Sequence, residues 1–210
     1  ASQKQAAKNG RRDADYDFGC NPCSEIILRP NQFCNLSEVV VRSDDTYETL
    51  KKKVKLAAIL GTLQATLTDF RYLRAKWQQN TAEEALLGVS LTGILDNTLM
   101  SDIDSDVLPK VLEGLKDEAV KTNKEWAKKL GINQATAVTC VKPSGTVSQL
   151  VDSASGIHGR FSDYYIRRVR ASANDPLCAV LEAAGVPSEL DKVSPNTTVF
   201  SFPQKAPDDS

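Results

Sequence analysis

The stretch Gly19-Cys20-Asn21-Pro22-Cys23-Ser24-Glu25-Ile26, followed after Pro30-Asn31 by Phe33-Cys34-Asn35-Leu36-Ser37-Glu38, decides how the rest of the 210 residues is read. It sets an amide, a thiol and a carboxylate at alternate positions: Asn21, Cys23 and Glu25. In an extended strand or a finger-like loop, alternate residues point the same way. The three polar groups are therefore expected to face one substrate. A second thiol, Cys34, follows the Pro30-Asn31 turn, and a hairpin-like return would bring it towards Cys23.

Taken from the residues alone, three readings of these thiols stay open. Redox or radical chemistry is the first. Cys20-x-x-Cys23 has the spacing of a dithiol motif, but such motifs open a helix, whereas Pro22 and the run Ile26-Ile27-Leu28 favour a strand. The second is zinc, held by Cys20, Cys23 and Cys34. A structural zinc site takes four ligands, usually as two close pairs, and the second pair is missing. The third is plain packing, since a free cysteine is commonly buried.

Working outward, residues 1–15 are polar and charged and read as loop or a fraying helix end, and residues 16–42 as short strands joined by loops. From Thr46 to about Gln79 the spacing predicts a helix, capped by Asp44, Asp45 and Thr46, with Leu50, Val54, Ala57, Leu60, Leu63, Leu67 and Phe70 on one face. A shorter helix is expected over Thr81–Leu87, then a glycine-bounded strand or tight loop, Gly88-Val89-Ser90-Leu91-Thr92-Gly93. A second long helix is expected from about Ser105 to Leu130, striped by Val107, Val111, Leu112, Leu115, Ala119 and Trp126, with Gly131 as its C-terminal cap. The β-favouring run Ala137–Val141 leads into Lys142-Pro143-Ser144-Gly145-Thr146, a turn that opens a helix. A last helix is predicted over 174–185, and 197–203 reads as a strand. Strands and helices alternate, so the class is α/β with a largely parallel sheet.

Composition narrows the partners. The formal net charge is −1 and 25% of residues are charged, which gives no electrostatic reason to expect a nucleic-acid polymer or a membrane surface. No apolar run approaches the ~20 residues of a membrane span, and the N-terminus is polar, so a cytoplasmic protein is expected. Five cysteines in this length are too few for a disulfide scaffold. Cys140 and Cys178 sit in apolar runs and read as core. His158 is left without a role, and no metal ligand set is assigned. Met100 is the single methionine, and the strand-like run 197–203 lies close to the C-terminus, where a strand needs neighbours. The chain is therefore expected to be part of a longer polypeptide.

Asn-Pro-Cys-Ser-Glu at 21–25 and Phe-Cys-Asn-Leu-Ser-Glu at 33–38 resemble the active-site finger loop of the ribonucleotide reductase family. The Asn-x-Cys-x-Glu core looks like that of the aerobic classes. Pro22 before the cysteine, Ser24 after it and the short gap to Cys34 look most like the adenosylcobalamin-dependent class. The likeness continues through Gly88–Gly93, Lys142–Thr146, Ser155-Gly156-Ile157-His158 and Tyr164-Tyr165-Ile166-Arg167-Arg168.

The resemblance implies an α/β barrel of two parallel half-sheets with a finger loop rising through its centre. This chain would supply the finger loop, about residues 16–42, and most of the second half, as a partial catalytic barrel domain over 1–210. It implies reduction of ribonucleotides to deoxyribonucleotides by a thiyl radical on Cys23, generated with adenosylcobalamin. Glu25 would be the general base for the 3′-hydroxyl and Asn21 would hold the ribose hydroxyls. Cys34 would be one member of a redox-active pair whose partner lies in a segment of the same polypeptide outside this sequence. A thioredoxin-like or dithiol reductant would restore that pair. The turn at about 142–148 suits phosphate through free N–H groups, hydroxyls and a helix dipole, and with the resemblance Ser144, Gly145 and Thr146 are assigned to the substrate phosphates. Two alternatives remain: the catalytic subunit of a diiron-dependent reductase, and a non-catalytic zinc or interaction module.

Overall fold

The computed structural model describes residues 1–8, 10 and 12–206. They fall into two units, Ala1–Gly159 and the residues from Arg160 onward.

The first unit opens with a short helix, α1 (Ser2–Ala7), and a small antiparallel hairpin, β1 (Gly19–Cys20) against β2 (Ile27–Leu28). Then come β3 (Asn35–Val40), α2 (Tyr47–Gln64), α3 (Ala75–Glu84) and β4 (Leu87–Thr92). A 3-10 turn (Ile94–Asp96), α4 (Thr98–Ser101), α5 (Leu108–Leu130) and α6 (Thr146–Leu150) follow. β3 and β4 run parallel, paired from Asn35↔Leu87 to Val40↔Thr92. Parallel neighbours need a crossover, and α2 and α3 supply it. Thr139 bridges Val89 in the same parallel sense, so the β-favouring run Ala137–Val141 lies along β4, with this one bridge among the described residues.

The alternation along β3 divides the molecule into two faces. Asn35, Ser37, Val39 and Val41 are buried, while Cys34, Leu36, Glu38 and Val40 are half-buried. The buried set packs on α2; Ser37 Oγ donates to the Ala57 carbonyl at 3.1 Å. Behind the sheet, α2 and α5 pack together around Val39, Val41, Leu50, Val54, Ala58, Leu87, Val89, Leu115, Ala119 and Val138. One polar link ties three pieces of this core: Asn123 Nδ2 donates to Thr62 Oγ1 at 3.0 Å, and Asn123 Oδ1 accepts from the Ala135 N–H at 3.0 Å.

Four sequence expectations are corrected here. The helix expected over Thr81–Leu87 spans Ala75–Glu84, and Leu87 already belongs to β4. The helix predicted to run to Gln79 ends at Gln64. Thr66 turns its hydroxyl onto the Leu63 carbonyl at 2.7 Å, and Thr68 and Asp69 follow, all residues that compete for backbone hydrogen bonds. The predicted apolar stripe also drifts: Leu60 and Leu67 are 61% and 71% exposed, and the buried face passes instead through Ala58, Gly61 and Thr62. Gly61 is what lets the helix close on the sheet, because a β-carbon there would lie 3.2 Å from Leu87 Cγ. Finally, α5 begins at Leu108 rather than Ser105, with Pro109 in its first turn, and ends as expected on Gly131 in the left-handed region (φ +69°).

The second unit holds β5 (Tyr164–Ser172), α7 (Pro176–Ala183), β6 (Ser188–Leu190) and β7 (Thr197–Lys205). These strands form an antiparallel sheet in the order β5-β7-β6, which the expected, largely parallel sheet did not anticipate. β7 is its middle strand, so the strand-like run at 197–203 finds its neighbours in β5 and β6. Arg170 pairs with Asp191 at 2.8 Å and Arg168 pairs with Glu189, which makes those arginines an ion-paired face. Among the described residues the strands do not close into a barrel. No helix among the described residues is long and apolar enough to cross a membrane.

Candidate active site

Cys23 does not lie in an extended strand. Residues Asn21–Ser24 form a tight turn at the tip of the β1–β2 hairpin, closed by the Ser24 N–H donating to the Asn21 carbonyl at 2.9 Å. Pro22 and Cys23 are its central residues, and Ser24 follows at φ +64°. Proline suits the first central position because its φ is already set. The Asn21 side chain closes the turn further, its Oδ1 accepting from the Ile26 N–H at 3.0 Å. The alternate-facing arrangement of Asn21, Cys23 and Glu25 is therefore corrected. Cys23 is exposed at the tip, Asn21 commits its carbonyl to the turn, and Glu25 is half-buried. Cys20 is also exposed and meets Ser24 Oγ at 3.5 Å.

The hairpin is held from below by a buried charge network that the sequence reading missed. Arg12 spans Glu84 with two 2.8 Å hydrogen bonds, one to each carboxylate oxygen, and donates a third, 2.8 Å, to the Ile27 carbonyl of β2. Gln32 Nε2 donates to the same Glu84 at 2.6 Å, and Arg29 donates to the Asn80 carbonyl at 3.0 Å. The guanidinium groups of Arg12 and Arg29 also lie over the rings of Phe18 and Tyr16. A carboxylate at the last residue of α3 faces the negative end of the helix dipole; the fork-shaped arginine contact offsets that and fixes the chain running into the turn. Nothing in local spacing marks Arg12 and Glu84 as partners across 72 residues.

Cys34 stands just before β3, on the strand face away from α2. Burial pushes its thiol up to about 12, assisted by Cys140 and Glu25 and opposed by the Asn35 N–H and Arg12. It is thus a protonated thiol at neutral pH, a proton donor and not a nucleophile. Cys140 is likewise raised to about 12, by burial first, then by Glu25, with Glu38 also contributing. Cys34 lies within electrostatic reach of Cys140, Arg12 and, most weakly, Glu25, while Cys23 is exposed at the tip of the turn. Glu25 Oε2 is buried and accepts no hydrogen bond.

The turn after the Ala137–Val141 run is anchored on β4: the Lys142 N–H donates to Ser90 Oγ at 2.9 Å, and Ser155 Oγ bonds the Ser144 carbonyl. Ser144 is buried with its hydroxyl unpartnered, while Gly145 and Thr146 are exposed. The helix the turn opens, α6, has only five residues, so a helix dipole adds little and the predicted support from it is reduced. The buried, unpartnered Ser144 hydroxyl is the group in this turn that an incoming anion could meet.

No family model matches the chain. Among solved structures it superposes on the crystal structure of a B12-dependent, class II ribonucleotide reductase with a TM-score of 0.74 and 29% identity, covering 90% of this chain and 29% of that one. The chain is homologous to a segment of the ribonucleotide reductases, and within them of the B12-dependent class. Its curated relatives carry the name adenosylcobalamin-dependent ribonucleoside-triphosphate reductase. That of Lactobacillus delbrueckii subsp. bulgaricus is 30% identical over 92% of this chain and 29% of its own length. That of Lacticaseibacillus paracasei is 30% identical over 95% of this chain and 29% of its own. The chain thus spans less than a third of the length of the relatives it matches, and their naming does not favour the diiron-dependent alternative.

Proposed function

We propose that the protein carrying this chain reduces ribonucleoside triphosphates to 2′-deoxyribonucleotides through a thiyl radical on Cys23, with adenosylcobalamin as the radical source. The observation that carries the reading is the division of labour in the hairpin. One thiol, Cys23, is exposed at the tip, while a carboxylate oxygen without a donor, on Glu25, lies within electrostatic reach of a half-buried, protonated thiol, Cys34. Residues 16–42 act as the finger segment and 142–148 as the phosphate turn.

The residues present fit the cofactor. Pro22, Cys23 and Ser24 are all exposed on the tip, so a bulky organometallic group can approach the Cys23 sulfur, the residue that would meet it. When bound, adenosylcobalamin supplies the radical equivalent that removes the hydrogen atom from the Cys23 thiol; the protein orients and shields. The Cys23 thiyl takes the 3′-hydrogen of the ribose. Glu25 Oε2 accepts the 3′-hydroxyl proton, a role that needs hydrogen-bond reach. Cys34 gives its proton to the departing 2′-hydroxyl, which leaves as water. Cys34 and a second thiol supply the two electrons and end as a disulfide, the second thiol's hydrogen replaces the hydroxyl at C2′, Glu25 returns its proton to the 3′-oxygen, and Cys23 gives the hydrogen atom back to C3′. The second thiol comes from elsewhere in the protein; Cys20, held at Ser24 on the hairpin, is not assigned to it. Asn21 keeps its amide NH2 for the ribose hydroxyls. A thioredoxin-like or small dithiol reductant in the cytoplasm restores the thiols.

The direct test is deoxynucleotide formation by the full-length protein with a ribonucleoside triphosphate, adenosylcobalamin and a dithiol. Turnover that needs all three supports the reading; none under anaerobic conditions with folded protein overturns it. A stoichiometric tight zinc with no turnover would support the zinc-module alternative.

The phosphate assignment of Ser144, Gly145 and Thr146 has its own test. A β-carbon at Gly145 meets nothing within 4 Å, whereas φ −109° and ψ −95° lie outside the regions an L-residue favours, so the folding of Gly145→Val is checked by thermal melting before binding is compared. The added side chain would occupy the space that backbone N–H groups need to approach phosphate. Calorimetry should show nucleotide affinity reduced by about tenfold or more and nucleoside affinity nearly unchanged. Equal losses for both would remove the phosphate role.

A further inference from the structure

Glu38 has no part in the mechanism above, yet its side chain is the most conspicuous polar group on the same face. It follows Cys34 and Leu36 on the outward side of β3, and both of its carboxylate oxygens are buried without a hydrogen-bond donor. A desolvated carboxylate lacking donors is costly, and an unsatisfied buried group in a folded protein calls for a partner that arrives.

Its surroundings say where that partner sits. Glu38 is in register with Ser90 on β4, and Cys140 lies beyond, its N–H donating to the Val89 carbonyl at 3.1 Å. The Cys140 sulfur occupies the room left by Gly88, 3.1 Å from where a β-carbon would stand. Leu36 and Ile26, the residue after Glu25, close on the same point at 2.4 and 3.1 Å. Glu25 and Glu38 both act on the Cys140 thiol, and Cys140 and Glu25 both act on Cys34. Glu25, Glu38 and Cys34 are therefore all within electrostatic reach of the Cys140 sulfur that fills the room above Gly88.

The cations that line the same cavity as Glu38 are otherwise engaged: Lys142 Nζ on the Pro143 carbonyl at 3.1 Å, Lys53 on Asp45, and Arg42 on the Val151 and Asp152 carbonyls. Nucleotide phosphates only accept hydrogen bonds at neutral pH, so at a site that includes Glu25 and Cys34 the ribose hydroxyls are the donors a substrate brings.

We propose that Glu38 is a second carboxylate of the substrate site, positioning the ribose by accepting a hydrogen bond from a sugar hydroxyl while Glu25 takes the proton that moves. This rests on the nucleotide reading of the site. The experiment measures equilibrium binding of a ribonucleoside triphosphate and its 2′-deoxy and 3′-deoxy counterparts to the full-length protein, wild type and Glu38→Gln, without adenosylcobalamin. Ribonucleotide affinity should fall about tenfold or more in the variant, as for a lost hydrogen bond to a charged group. The loss should shrink to under about threefold for the deoxy ligand that lacks the hydroxyl in question. In steady state, KM should rise more than kcat falls. Glu38→Asp, which keeps the charge, should recover part of the affinity and serves if the Gln variant does not fold. Equal losses for all three ligands, or no loss for any, overturn the proposal. So does a Lys142→Met variant that destabilises the fold while Glu38→Gln binds normally, since Lys142 would then be the partner. A wild-type protein that binds none of the three nucleotides refutes the nucleotide reading itself.

Discussion

Replacing Cys23 with serine should abolish deoxynucleotide formation by the full-length protein, by at least about three orders of magnitude, or ~4 kcal/mol of barrier. The side chain is exposed at the second central position of a β-turn whose hydrogen bonds come from Asn21, Ser24 and Ile26 and not from the cysteine. Serine is readily accommodated in such a turn, so thermal stability should stay within about 0.5 kcal/mol of wild type. What changes is the bond: a serine O–H is much stronger than a thiol S–H and gives up its hydrogen atom far less readily. The cofactor's visible spectrum should accordingly stay unchanged on mixing with nucleotide, whereas the wild type should show a rapid change. A normal spectral change or residual multiple turnover in Cys23→Ser would show that another group carries the radical. Cys20 is the thiol to examine in that event, because it is exposed on the same hairpin.

The second large effect is expected at Cys34. Cys34→Ser should leave the rapid cofactor change intact and stop multiple turnover, with steady-state rates below about a hundredth of wild type, ~2.7 kcal/mol. The two electrons for removing the 2′-hydroxyl come from a thiol pair, and a serine cannot enter a disulfide. Burial, Cys140 and Glu25 hold the Cys34 thiol up to about 12. A group whose folded pKa is raised in this way keeps its proton below that value, so Cys34 should impose no loss of activity as pH rises to about 9, where an ordinary thiol near 8.5 would be largely ionised. Peptide mapping after one turnover without reductant should find Cys34 in a disulfide in the wild type. Sustained turnover with a dithiol in the variant would remove Cys34 from the reducing pair.

The division between what sequence shows and what only the fold shows follows the range of the forces involved. Gly131 ending α5, Thr46 capping α2 and the β-favouring run Ala137–Val141 are local matters, decided by φ preferences, caps and period. They were legible residue by residue, as were the thiols and the carboxylate of 21–38. The helix end at Gln64 was less so, because a continuing apolar period concealed the hydroxyls at Thr66 and Thr68. The geometry around Cys23 was not legible either: alternation predicts a shared face only if the strand persists, and the Ser24 N–H bond to Asn21 replaces it with a turn.

The amino-acid sequence by itself determined the α/β class, the thiol–carboxylate motif and its resemblance to ribonucleotide reductases, since each is written in neighbouring residues. Tertiary structure alone decided that Arg12 meets Glu84, that Gly88 opens room for the Cys140 sulfur, and that Glu38 comes within electrostatic reach of Cys140. Those contacts join residues far apart in the chain, and parallel pairing of β3 with β4 sets their register. That register comes from burying Val39, Leu87 and Val89 on α2 and α5 together, a property of the packed core that no single segment carries.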